Sequence, residues 1–170
     1  MHYPFLQEDY DRLQLVVAEL EGRRSEALAN IGASTEQSSE TWHDNPMFDE
    51  VHQLAKMWQN QLTRIRAIFQ EAVVVRSTSQ TEIVQIGNIV TYSNASTNFV
   101  DTIQIGSYMQ IGDRRRNTAS GIDVATAGSP LGCALLNCRV GDIATAEFRD
   151  DKGVITRVMQ LKVLEITLPR

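Results

Sequence analysis

Between residues 36 and 50 the chain collects Glu36, Glu40, Asp44, Asp49 and Glu50 in one polar stretch, with no Lys or Arg among them. Carboxylates are hard oxygen donors. They hold Mg²⁺ beside phosphate oxygens, and a pair of them suits two-metal cleavage of a phosphodiester. The same group also suits a basic surface on a larger partner. Basic side chains placed there would be drawn to phosphates and compete with the metal. A structural role is available as well: Asp44 beside Asn45 reads as part of a helix cap, and Trp42 as a staple against the helix that follows. His43, Asp49 and His52 can be drawn as a second metal set, but spacing fixes no third ligand.

The flanking segments say how such a stretch is carried. Leu6, Tyr10, Leu13, Val17, Leu20, Arg24, Ala27 and Ile31 alternate in spacings of four and three. Phe48, Val51, Ala55, Trp58, Leu62, Ile65, Phe69 and Ala72 do the same. Each set makes a narrow apolar seam that another helix must cover. Two seams joined by a short polar connection predict an antiparallel coiled-coil hairpin over 1–76, with the acidic segment 36–50 at its tip. Arg24 interrupts the first seam and is expected to snorkel outward. Pro4 suits a helix start. Gly32 and the Ser/Thr cluster after it suit a helix end, and Asn45-Pro46 a restart. Helices of about 25 residues are roughly 40 Å long at 1.5 Å per residue.

Beyond residue 80 the period changes. EIVQIGNIVTY, FVDTIQIG, GIDVATA, DIATAEF and VITRVMQLKVLEITL are β-branched and partly alternating, and turn residues separate them. They predict an antiparallel sheet over 80–170. SPLGCALLN, residues 129–137, is the one short helical candidate, with Ser129 as N-cap and Pro130 as first helical residue. The fold class expected is α+β.

Composition narrows the function. At 170 residues, 42% hydrophobic and 22% charged, the chain is an ordinary globular protein. No apolar run approaches a membrane span, and the acidic start MHYPFLQEDYDRLQ is no secretory signal, so a cytoplasmic monomer without membrane contact is expected. Residues 1–75 hold 12 acids against 6 Lys/Arg, and residues 76–170 hold 9 against 10. Only Arg114, Arg115 and Arg116 are locally basic; they read as solvated surface, which leaves RNA or DNA contact a secondary expectation. Cys133 and Cys138 match neither a redox pair nor a zinc knuckle and are expected as buried thiols.

A hairpin with an acidic tip, followed by a β domain containing SPLGCALLNCRVGDIATAEF and ending in KVLEI, resembles the bacterial Gre transcript-cleavage factors. The likeness is carried by Ser129, Pro130, Leu131, Gly132, Ala134, Leu135, Leu136, Gly141 and Asp142. It departs at Asn137, where the family often has Gly. At the tip, TWHDNPMF matches with Asp44 for Glu, Asn45 for Asn and Phe48 for Tyr. The resemblance implies an FKBP-like C-terminal domain that binds bacterial RNA polymerase, with Ser129, Pro130, Leu131 and Gly132 in the contact. It implies a hairpin inserted in the secondary channel, where two tip acids help hold Mg²⁺ at the polymerase active site. The factor has no cofactor and is itself no enzyme: the polymerase hydrolyses its own backtracked RNA. Asp44 takes one acid position. The other falls on Thr41, and neighbouring Glu40 is the residue expected to rotate into its place. The alternative implied is a Gre-like regulator that occupies the channel without cleaving. A folding helper with an FKBP-like domain is a third reading. The seam argues against it, because the hairpin consumes its own apolar stripe. Tyr92, Phe99, Tyr108 and Phe148 are expected in the core, and no Trp is present in that domain to floor an isomerase pocket.

Overall fold

The two heptad seams are helices in the computed structural model, which describes residues 2–36, 46–76, 79–109 and 121–169. Helix α1 spans Gln7–Glu36 and α2 spans Pro46–Gln70. Every seam residue from Tyr10 to Ala27 and from Val51 to Ala72 is buried or half-buried, whereas most of their neighbours are exposed. Leu13 and Leu62 are fully buried, and each contributes about 1.5–3 kcal/mol by leaving water. Arg66 of α2 makes an ion pair with Glu21 of α1, and the Arg23 guanidinium lies 5.3 Å from the centre of the Trp58 ring. Moving up α1 therefore means moving down α2, so the pair is antiparallel. Arg24 stays half-buried at its seam position. Glu40, Thr41, Trp42, His43, Asp44 and Asn45 of the expected tip, and Arg114, Arg115 and Arg116, lie outside the described residues.

Pro4 does not start the helix. Residues Tyr3–Leu6 form strand β1, paired with β2, Ala72–Val75, in a two-stranded sheet. Proline is tolerated in such an edge because no ladder bond needs its missing N–H. Its carbonyl accepts from Tyr108 N at 2.8 Å. The helix begins at Gln7, with Glu8 and Asp9 in the first turn where the helix dipole favours acids. By internal contacts the chain divides into 11–72 and a second unit made of 2–10 with 73–170.

In the second unit Ser107 ties the first residues down. Its Oγ accepts from Leu6 N at 2.9 Å and donates to Asp9 Oδ2 at 2.6 Å. The Tyr3 and Tyr108 rings lie 4.2 Å apart, and Phe5 is fully buried beside them. The larger sheet holds β3 (Ile89–Asn94), β4 (Val100–Gly106), β5 (Asp123–Thr126), β6 (Ile143–Arg149) and β7 (Ile155–Thr167), in the order β5-β4-β3-β7-β6. The sheet is mixed and not wholly antiparallel, because β5 runs parallel to β4. A parallel pair needs a crossover of about a dozen residues or more, and the connection from 107 to 122 supplies that length. Val90, Tyr92, Ile103, Ile105, Leu161 and Val163 fill the core, and Leu135 of α3 (Pro130–Leu135) is buried in the same cluster.

The four aromatic residues expected in the core separate. Tyr92 is buried and donates to Asp101 Oδ2 at 3.3 Å; burial, aided by that carboxylate, pushes its hydroxyl up to about 12. Tyr108 stacks on Tyr3, and Phe148 lies 5.7 Å beneath the Arg157 guanidinium. Phe99 is not core: it precedes β4 in the β3–β4 hairpin and is 63% exposed.

Candidate functional site

The segment 129–142 is the described part of the candidate site, and nearly every distinctive residue in it has a local physical cause. Ser129 is the N-cap of α3, with extended backbone at φ −76° and ψ 158°. Its Oγ accepts from Gly132 N at 3.1 Å and donates to the Thr126 carbonyl at 2.7 Å. The cap thus fastens the helix to the end of β5. Pro130 takes the first helical position, where no N–H is needed. Gly132 is buried, and a methyl group in place of its hydrogen would meet the Thr126 carbonyl oxygen at 2.0 Å. Only glycine lets α3 sit this close to β5.

The helix ends in a tight turn. Leu136 N donates to the Gly132 carbonyl at 3.0 Å, and Asn137 follows at φ +64°. This left-handed conformation is most accessible to Gly and next to Asn and Asp. Asn137 thus holds a left-handed position that also suits the Gly often found there in the resembled motif. Asn137 N and the Cys138 carbonyl then bond both polar backbone groups of Val84, at 2.9 and 2.8 Å. The next turn uses Gly141 at φ +95° and Asp142, whose Oδ2 accepts from Arg139 N at 2.7 Å.

Of the four residues expected at a partner, Ser129 and Gly132 are thus occupied within the fold. Leu131 is half-buried against the core cluster, and Pro130 is exposed. The outward surface also includes Cys133, expected inside, and Arg139 and Val140, which sequence reasoning did not single out. Their signal was available: they are the residues of 130–140 left over when capping and core positions are removed. Cys133 is exposed and Cys138 half-buried, so the expectation of two buried thiols fails. In a helix of six residues Gly132 and Leu135 take the inward face, and Cys133 is left outside. Cys138 Sγ donates to the Ala134 carbonyl at 3.3 Å; its thiol is pushed up by burial and by the nearby Asp142 charge.

Glu40 and Asp44, the acids expected to act at a metal, lie outside the described residues, as does His43. Asp49 and His52 are exposed on α2. Among the described residues no three His, Cys, Asp or Glu side chains gather as a cation cage, and no helix is long and apolar enough to cross a membrane.

No family model matches the chain. It is 25% identical over 166 residues to the transcription elongation factor GreA of Macrococcus caseolyticus, covering 97% of this chain and 96% of that protein. Similar solved structures include the GreA factor homolog Gfh1 of Thermus thermophilus, at 20% identity, 98% and 99% coverage and a TM-score of 0.44. Another is the elongation factor GreA/GreB of Nitrosomonas europaea, at 15% identity, 98% coverage of both chains and a TM-score of 0.36. The chain is thus similar to a GreA factor along nearly its whole length, at 25% identity.

Proposed function

We propose that the chain is a transcription elongation factor that binds bacterial RNA polymerase, enters its secondary channel with the helical hairpin and stimulates hydrolysis of backtracked RNA. The observation that carries this reading is the similarity to GreA, which runs through both units and not through one domain alone. In this reading the segment 129–142 presents Pro130 and its exposed neighbours to the polymerase, while Ser129 and Gly132 hold that surface in shape. Glu40 and Asp44 are the residues that would meet Mg²⁺ of the polymerase. Their carboxylates are the donor type that Mg²⁺ takes, and the metal supplies charge neutralisation at the phosphate. The chain's own part is to deliver and orient those oxygens; the chemistry belongs to the polymerase, so the protein acts as an accessory factor. Shortening Glu to Asp at position 44 draws one carboxylate back by roughly 1.3–1.5 Å, one C–C step.

Thr41, standing where the first acid is expected, motivates a second reading: a regulator that fills the channel without promoting cleavage. One experiment separates them. Purified polymerase is stalled in a backtracked complex with Mg²⁺, and transcript length is followed with the wild-type chain and with Asp44→Ala. Shortening by the wild type, lost in the variant, is the expected result. Binding with inhibition of nucleotide addition and no shortening, with cleavage appearing in Thr41→Asp, supports the second reading. A chain that does not bind polymerase excludes both.

A further inference from the structure

The twenty residues 51–70 of α2 contain no Asp or Glu, although the helix opens with Asp49 and Glu50. Their three Lys/Arg residues are Lys56, Arg64 and Arg66. Arg66 is neutralised by Glu21 of α1. Lys56 and Arg64 are exposed, and neither has a hydrogen-bond or ion-pair partner among the described residues. Together with Gln53, Met57, Asn60 and Gln61 they form one open strip along α2. These positions recur at helical spacing on the side of α2 turned away from Ala55, Leu62 and Ile65, so covering the seam uses none of them.

From this strip we infer an interaction surface: the outer face of α2 docks against a protein wall that presents carboxylates, with Lys56 and Arg64 as the charged anchors and the carboxamides between them as hydrogen-bonding groups. The inference rests on the proposed function for the identity of the partner, the polymerase. Charge complementarity selects the class of partner. Eight residues of helix separate the two cations by about 12 Å, a length over which a nucleic-acid duplex carries about seven phosphates. Two cations are too sparse for that density. The strip also offers no aromatic ring on which a base could stack, because Trp58 is half-buried in the seam. Gln53, Asn60 and Gln61 can donate to carboxylates and also accept from backbone N–H groups, as a mixed protein surface requires.

The test measures the affinity of the full chain for purified bacterial core RNA polymerase at two salt concentrations, for the wild type, for Lys56→Glu/Arg64→Glu and for Lys56→Gln/Arg64→Gln. Circular dichroism checks that helix content is retained in both variants. The expected result is binding at least tenfold weaker for the charge reversal, an intermediate loss for the neutral pair, and a salt dependence that flattens in both. Equal affinity of the wild type and the reversed variant overturns the inference and leaves the proposed function standing. Failure of the wild type to bind removes both, and is seen without any variant. A parallel arm titrates single-stranded RNA: wild-type binding that the reversal abolishes, with polymerase affinity unchanged, overturns the protein-wall assignment in favour of nucleic acid.

Discussion

Replacing Gly132 by alanine puts the account of the 129–142 segment at risk in one step. By helix propensity the change should help, because alanine is favoured over glycine by about 0.8–1 kcal/mol inside a helix. By packing it should hurt. The added carbon would lie 2.0 Å from the Thr126 carbonyl oxygen, 2.7 Å from its carbonyl carbon and 3.1 Å from Ala127 Cα. An unstrained C···O approach is about 3.3–3.6 Å, so α3 or the end of β5 must move by more than 1 Å. All three obstructing atoms are backbone, and none can swing aside as a side chain can. Overpacking of this kind costs typically about 1–3 kcal/mol, occasionally more. Two contacts below 3 Å place Gly132→Ala at the upper end, for a net loss of about 1–2 kcal/mol after the propensity gain. Gly22 supplies the opposite case. It is exposed in α1, and an added carbon would meet nothing within 4 Å, so Gly22→Ala should stabilise by up to about 1 kcal/mol. Both are read by urea unfolding of the full chain, followed by circular dichroism. Thermal midpoints should move by roughly 4–8 °C per kcal/mol for a unit of about a hundred residues. Unchanged or raised stability in Gly132→Ala would refute the reasoning, because propensity would then have decided the outcome and the close approach to β5 would have no energetic weight.

Two further perturbations bear on other parts of the molecule. Leu62→Ala empties a fully buried seam position and should cost about 2–5 kcal/mol; far-UV circular dichroism during urea unfolding should show the helices lost earlier, and an unshifted midpoint would mean that the seam does not hold them. Tyr92 gives a pH signature. Burial, with Asp101 beside it, raises its hydroxyl from about 10 to about 12 in the folded chain. The folded state therefore holds that proton more tightly than the unfolded state does. The resulting stability is full below pH 10 and is lost as pH climbs to 12. Tyr92→Phe should flatten this decline in unfolding experiments across the alkaline range, and an equally steep decline in the variant would assign it elsewhere.

The parts of the fold that were legible in the sequence are those governed by local period. The heptad spacing identified α1 and α2 and their buried faces, and alternation with turn residues located all five strands of the larger sheet. Ser129 and Pro130 marked the start of α3, because capping is written in the few residues that perform it. What depended on distant chain was not legible. Tyr3–Leu6 is too short to show alternation, and it is a strand because Ala72–Val75 and Ser107 stand beside it. The parallel setting of β5 follows from the route of the connection before it, which no period records. Cys133 sits in a helix too short for a moment to tell inside from outside. In the candidate site the motif was readable, but the reason for Gly132 was not: it lies in Thr126, six residues earlier, and appears once α3 and β5 are side by side.

The pairing of Tyr3–Leu6 with Ala72–Val75 makes the helical segment an insertion, since the chain leaves one small ladder and returns to it. Heptads added to or removed from α1 and α2 in matched pairs would leave both strands, and every bond between them, where they are. The length of such a segment can then drift over evolution, or be reset by design, with both strands unchanged.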